Sequence, residues 1–251
     1  MLHVGKTSCE ALENYKKDKD ESFFEQPGKE QYEKFYGKGN KNRFKELCKD
    51  LLKDQHSLCC YCMRIIKQKE EHGNIAVKLS VEHFLSKYDY KSEALNYSNL
   101  FGSCSFGKHA KGREVGSCDN YKGGENFKSI LNPSLDKVGF YEHMKLTFVS
   151  VNKYLYIKSG DTGVDKELDE ILNLNIEDLC SSRYTVFNTV RNQMKGKTQT
   201  ELEGAYRRFI TMWKEEHAAA QFFNVIVYLF EHILLESSPN YGKKFLNPHY
   251  I

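Results

Sequence analysis

Four cysteines, an acid–histidine pair and a later aspartate are the residues of this chain whose types and spacing could do chemistry. Cys59 and Cys62 form a Cys-x2-Cys knuckle, which puts two thiolates on one tight turn, able to grip one side of a tetrahedral zinc. A structural site needs two more ligands. Cys104 and Cys118, with thirteen residues between them, are the natural pair, and His109 is a substitute for either. Cys60 is disfavoured because a single residue separates it from Cys62. Ordinary buried thiols are the plain alternative, since free cysteine packs as a small hydrophobe. Clustering in a polar, core-poor segment argues for metal instead.

Glu82 and His83 close a run of alternating residues and pair a hard oxygen ligand with a candidate general base. Metal-assisted phosphodiester hydrolysis uses both: a histidine that titrates near neutrality takes a proton from water, while a divalent cation offsets charge on the phosphate. Asp119 can bring a second carboxylate to the same cation, and two carboxylates suit Mg2+ or Mn2+ better than zinc. Strict alternation would send Glu82 and His83 to opposite faces, so the strand must twist or end there. A surface Glu-His pair is the plain reading of that dipeptide alone. Lys108, Lys111, Arg113, Lys122 and Lys128 are either phosphate contacts or the solvated face of a long loop. His72, His143 and His232 lack a ligand-spaced partner and read as surface or core residues, and His217, beside Glu215 and Glu216, reads as part of a solvated helix face.

The elements that must position these residues follow from periodicity. Phe44, Leu47, Cys48, Leu51 and Leu52 recur at helical spacing from an Asn42 cap to about His56, leading into the knuckle. A polar turn, Glu70 to Gly73, precedes Ile75, Val77, Leu79 and Val81, which alternate with Ala76, Lys78 and Ser80 as one half-buried strand. Residues 86–130 read as mostly loop, with short helices near Asn99 and after Cys118; metal ligation would tether a loop this long. A hairpin over 146–157 turns at Asn152-Lys153. Helices are expected around 167–174, 176–194, 200–217 and 218–235, the last being the most apolar part of the chain and its expected core.

The totals set limits. The chain has 251 residues, is 40% hydrophobic and 28% charged, and carries a net charge of +3, too mild to argue for a polyanionic partner. The stretch from Met1 to Lys6 lacks the apolar run of a secretory signal, so the eight cysteines are expected to be reduced and the protein cytoplasmic. Gln221, Asn224, Glu231 and His232 interrupt the one long apolar run, which argues against a membrane span. Gly5-Lys6-Thr7 lacks the upstream glycine and strand of a phosphate-binding loop. The aromatics Phe23, Phe24, Tyr32, Phe35 and Tyr36 suggest that part of the polar first forty residues packs on the body.

Cys59-x2-Cys62, Glu82-His83-Phe84, Asn99-Leu100, Ser103-Cys104 and Cys118-Asp119-Asn120-Tyr121-Lys122-Gly123 together resemble the HNH endonuclease superfamily, over roughly residues 55–130. Glu-His-Phe, Asn132-Pro133, the later Leu172-Asn173-Leu174-Asn175 and Arg183 look more specifically like the PtuB-type nucleases of Septu and retron-linked antiphage systems. The resemblance implies an α+β, mainly helical protein: a zinc-stapled ββα-metal core, a β-hairpin and a helical C-terminal half. It implies that His83 activates water, Glu82 binds the catalytic cation and Asn99 braces the loop that orients His83. Asp119 stands where the pattern has His or Asn, with Asn120 as its rival. A DNA substrate and a PtuA-like ATPase partner follow from the same resemblance.

The expected organisation is a partly ordered N-terminal arm over 1–41, a nuclease domain with structural zinc over 42–135, and a hairpin plus helical domain over 136–251. Two other functions use the same residues. An RNA-cleaving nuclease would need the same cation and base, whereas a non-catalytic zinc module would need the cysteines but not Glu82, His83 or Asp119.

Overall fold

The computed structural model describes residues 1, 3–37, 41–66, 68–71, 74–77, 79–104, 116–135, 137–215 and 220–237, of which 68–71, 74–77 and 232–237 as backbone only. The expectations placed on His72, Lys108, His109, Lys111, Arg113, His217 and the His232 side chain lie outside this description. The protein is α+β and mainly helical. Its described strands form three separate two-stranded antiparallel sheets.

Three helices not foreseen from the polar N-terminus come first: α1 (Glu10–Lys17), α2 (Glu21–Phe24) and α3 (Gly28–Tyr36). Asp20 caps α2 by accepting the Phe23 N–H, which satisfies one of the open donors of its first turn. Of these, α1 and α3 pack on α4 (Lys41–Asp54), the helix expected from residue 42, and α2 packs on α3. The shared core contains Leu12, Tyr15, Phe23, Phe35, Leu47 and Leu51. Each fully buried leucine there contributes about 1.5–3 kcal/mol. Phe24 and Tyr36 stay exposed.

The expected single strand over 75–81 is two strands. β1 (Gln68–Glu71) pairs with β2 (Asn74–Val77), so Glu70 and Glu71, expected in a turn, belong to a ladder. β3 (Leu79–His83) pairs instead with β4 (Leu100–Cys104), in the register Glu82 opposite Phe101 and His83 opposite Leu100. Period two continued across a change of partner that alternation cannot register. β4 lay in the expected loop because all five of its residues are buried, which removes the alternation that would have marked it. A 3-10 turn at Tyr97–Asn99 leads into β4, and α5 (Asp119–Lys122) follows Cys118.

Beyond α6 (Lys137–His143), β5 (Thr147–Val151) and β6 (Tyr154–Lys158) form the expected hairpin. Asn152 and Lys153 both have positive φ (47° and 66°), the two-residue turn whose twist suits paired strands. α7 (Thr162–Glu170) begins five residues earlier than expected because Asp161 caps it. α8 (Glu177–Met194), α9 (Gln199–Glu215) and α10 (Phe223–Ser237) complete the described chain. No described helix is long and apolar enough to cross a membrane.

One core joins Met1 and Val4, the cysteine knuckle, Phe140, Leu155, Leu172 and Phe223. Side-chain packing therefore crosses both boundaries expected near residues 41 and 135. A smaller core lies between α8, α9 and α10, around Met194, Tyr206 and Phe230.

Candidate metal centre and active site

The knuckle is set by the end of α4. His56 and Ser57 take positive φ (49° and 58°) and reverse the chain. Leu58 then bridges to Ile65, the Cys59 N–H donates to Arg64 O at 2.8 Å, and the Met63 N–H donates to Cys59 O at 3.2 Å. Met63 holds the left-handed corner (φ 64°) where glycine would be easier. Gln55 ties this turn to β4: its amide donates to Leu58 O and Gly102 O, both at 2.8 Å, and accepts the Gly102 N–H at 2.6 Å.

Cys104 ends β4, and Cys118 precedes α5. The Sγ atoms of Cys59, Cys62, Cys104 and Cys118 all lie within 4.8 Å of one another and are buried. Cys62 to Cys104 is 3.6 Å and Cys104 to Cys118 is 3.8 Å. Sulfurs at about 2.3 Å from a tetrahedral zinc stand about 3.8 Å apart, whereas a disulfide needs about 2.05 Å. The donor set and its spacing thus fit a metal ion such as zinc. Cys60 is outside the cluster, and burial keeps its thiol well above the usual range.

Cys118 has positive φ (60°), a strained position for a residue with a side chain. It is held there from far along the chain: its N–H donates to Leu172 O at 2.9 Å, and Asn173 Nδ2 donates to Gly116 O at 2.9 Å. Arg183 on α8 is only 2% exposed and interacts electrostatically with Cys62 and Cys118. A guanidinium there would offset the negative charge that four thiolates leave on a divalent ion.

Glu82, His83 and Asp119 line one small cavity of about 30 Å3, with Ser86, Lys87 and Tyr88 at its edge. Its size suits one water or ion. β3 ends at His83, which lets consecutive side chains flank the same space. Glu82 is 2% exposed. Tyr61, inside the knuckle, donates its hydroxyl to Glu82 Oε1 at 2.7 Å, so the sulfur cluster and the acid are mechanically linked. Burial, together with a hydrogen bond to Asp119, pushes the Glu82 carboxyl well up, against the pull of Lys122 and Tyr61. Two adjoining carboxyls offer the oxygen donors that a hard divalent cation takes. Ser80 Oγ donates to Asp119 Oδ2, and the Asp119 N–H donates to Ser103 Oγ at 3.4 Å. Asp119, rather than Asn120, lines the cavity.

His83 Nε2 lies 3.1 Å from Ala94 O. A carbonyl only accepts, so the proton sits on Nε2 and Nδ1 carries the lone pair. Nδ1 is buried and has no hydrogen-bond partner among the described residues. Burial first, then the charge of Lys87, lowers the His83 pKa to about 3, so the ring is neutral at physiological pH and a weaker base than the near-neutral histidine expected from the sequence. Asn99 holds the loop that supplies Ala94: its Oδ1 accepts the Leu85 N–H at 2.7 Å, and its Nδ2 donates to Leu85 O at 2.9 Å and Glu93 O at 3.0 Å. Tyr32 of α3 meets the His83 ring edge to face at 4.6 Å.

Lys122 is where the structure departs from the sequence reading. Its side chain is 1% exposed, and its ammonium lies 2.9 Å from Glu82 Oε1 and donates to His83 O at 3.0 Å. It is an internal counter-ion and reaches no surface where a nucleic-acid phosphate could meet it. Lys128 is exposed but does not line the cavity. Lys87, which does, was not singled out, because a lone lysine beside Tyr88 carries no spacing signal. Tyr61 and Gln55 were missed for the same reason. No family model matches the chain, and no curated protein matches it.

Proposed function

We propose that the protein is a zinc-stapled, metal-dependent HNH-type endonuclease that hydrolyses phosphodiester bonds in DNA. The observation that carries the reading is at His83. Its Nε2 proton is spent on Ala94 O while buried Nδ1 keeps an open lone pair, beside two adjoining acids. A neutral imidazole held this way has one nitrogen that can accept a proton from water, and burial first, then positive charge nearby, is what keeps its pKa low. Glu82 and Asp119 would hold Mg2+ or Mn2+, which when bound supplies positive charge to the phosphate and the departing oxygen. Tyr61, Ser80 and Lys122 orient the two acids, and Asn99 fixes the loop that points the imidazole. Zinc at the four cysteines holds Tyr61, and through it Glu82, against β3. Membership of a PtuB-type antiphage complex with a PtuA-like ATPase, in the cytoplasm, rests on the resemblance alone.

The test is cleavage of plasmid DNA, single-stranded DNA and RNA by the full chain with Mg2+ or Mn2+, with zinc content measured in parallel. His83→Ala should lower cleavage by about 10²–10⁴-fold and leave one zinc per chain. Cleavage that survives His83→Ala in a preparation free of contaminating nuclease refutes the assignment, and preference for RNA moves the substrate class.

One observation favours a second reading, a non-catalytic zinc module. Lys122 and Tyr61 both engage the same Glu82 oxygen, as a purely structural buried network would. In that case no divalent cation other than the staple's metal binds, and Glu82→Gln changes stability alone.

A further inference from the structure

Two lysines stand by the small cavity of Glu82, His83 and Asp119, and they are held in opposite ways. Lys122 does not line it: its ammonium is buried against Glu82 Oε1 at 2.9 Å. Lys87 lines the cavity itself and is half-buried. Among the described residues its ammonium closes on no carboxylate, although two acids share the cavity. It lies instead 5.4 Å from the centroid of the Tyr32 ring and 5.2 Å from that of Tyr88.

The backbone that carries Lys87 is fixed on both sides. The Ser86 N–H donates to Asn126 Oδ1 at 2.8 Å, the Tyr88 N–H donates to Ser86 Oγ at 3.2 Å, and the Tyr90 N–H donates to Ser86 O at 2.9 Å. α3 closes against the same turn. A Cβ at Gly28, its first residue, would collide with Lys87 O, so only glycine permits that approach. Gly123 and Gly124 also line the cavity; both are exposed, and a Cβ on Gly123 would meet nothing within 4 Å. A polymer backbone can therefore come close over the two glycines. A space of about 30 Å3 admits a water or an ion and not a nucleotide. A phosphodiester must lie across its mouth, where Lys87 offers a positioned ammonium without an anion.

We infer that Lys87 holds the scissile phosphate, its ammonium against a non-bridging oxygen while Glu82, His83 and Asp119 act from inside the cavity. The inference rests on the nuclease reading and adds to it a catalytic residue that moves no proton. Fixed positive charge aimed at oxygens where negative charge builds lowers the barrier without reorganisation.

The experiment uses the full-length, zinc-loaded protein and a fluorescein-labelled single-stranded thymidine oligonucleotide, in two arms. Without added divalent cations, anisotropy gives the affinity over a series of KCl concentrations. With Mn2+, single-turnover cleavage at saturating protein gives the rate of the bound complex. Lys87→Met, which keeps the length of the side chain over the two rings, should flatten the slope of log affinity against log salt by about 0.7, one phosphate contact on a single strand. It should slow cleavage at saturation by about 10²-fold, the scale of one lost donor to a developing oxyanion. Lys87→Arg should recover much of both, and both variants should keep the zinc content and melting temperature of wild type. If wild type binds but does not cleave, and Lys87→Met still flattens the slope, the nuclease reading falls and the phosphate contact stands. If wild type cleaves and Lys87→Met matches it in slope or in rate, the nuclease reading stands and the role of Lys87 falls. That role is equally overturned by a wild type that does not bind the strand, by Lys87→Arg as impaired as Lys87→Met, or by a Lys87→Met chain that loses zinc or melts well below wild type.

Discussion

Replacing Lys122 by methionine tests how the candidate active site is held together. The substitution keeps the length of the side chain and removes the ammonium that lies 2.9 Å from Glu82 Oε1 in a fully buried setting. Breaking a buried pair by removing one partner costs about 3–5 kcal/mol, because the other charge is left uncompensated. Lys122 also donates to His83 O, so an orphaned carbonyl adds to the loss. Glu82 has an escape: its carboxyl is already pushed up by burial and by Asp119, and without Lys122 it can take a proton. The full cost therefore appears only at pH values where that proton is absent, and at low pH it falls towards the roughly 1–3 kcal/mol of an unmade hydrogen bond. For a chain of this size, about 3–5 kcal/mol lowers the melting temperature by roughly 6–20 °C.

The assay is thermal unfolding of wild type, Lys122→Met, Glu82→Gln and the double variant at pH 5 and pH 8, with and without Mn2+, at constant zinc. The double variant should lose less than Lys122→Met alone, since no carboxylate is then stranded. Mn2+ should restore Lys122→Met more than it stabilises wild type, because a cation between Glu82 and Asp119 replaces the missing charge. The reasoning is refuted if Lys122→Met melts within about 1 °C of wild type at pH 8, a difference of well under 1 kcal/mol. A response to Mn2+ equal to that of Glu82→Gln would remove the cation from the account.

Further outcomes are expected elsewhere in the molecule. Cys118→Ser should abolish binding of the metal by the cysteine cluster, read by metal analysis, and unfold the segment it shares with Leu172 and Asn173; retention of one full equivalent of zinc would refute the four-sulfur site. Asn99→Ala removes three side-chain hydrogen bonds at a 1% exposed position and should cost about 1.5–4 kcal/mol in chemical denaturation while leaving zinc in place. Glu231 on α10 has its carboxyl raised to about 7 by burial, against a hydrogen bond from Tyr206. A raised folded pKa means stability that is present below pH 4.5 and lost as pH climbs through about 7. Glu231→Gln should therefore gain up to about 3 kcal/mol over wild type at pH 8 and nothing at pH 4, checked by urea melts at both.

Much of the candidate site was legible in the chain as written. A Cys-x2-Cys turn made Cys59 and Cys62 a pair and left Cys104 and Cys118 as the natural partners, with His109 as a substitute; packing is what brought those four sulfurs together. Glu82, His83 and Asp119 were recognisable as residue types that phosphodiester chemistry uses, and α4, α8, α9 and the β5–β6 hairpin announced themselves through period and turn residues. These are local signals, carried within a few residues of the position they describe. Tertiary structure decided what local signals cannot carry. It split one alternating run between two sheets, made a strand of the uniformly buried Leu100–Cys104, and folded a polar N-terminus into three helices whose Tyr32 reaches His83. It also turned Lys122 inward onto Glu82 and left Nδ1 of His83 as the open nitrogen. Whether a lysine meets solvent or a carboxylate depends on which distant elements cover it, and that is settled only when the whole chain packs.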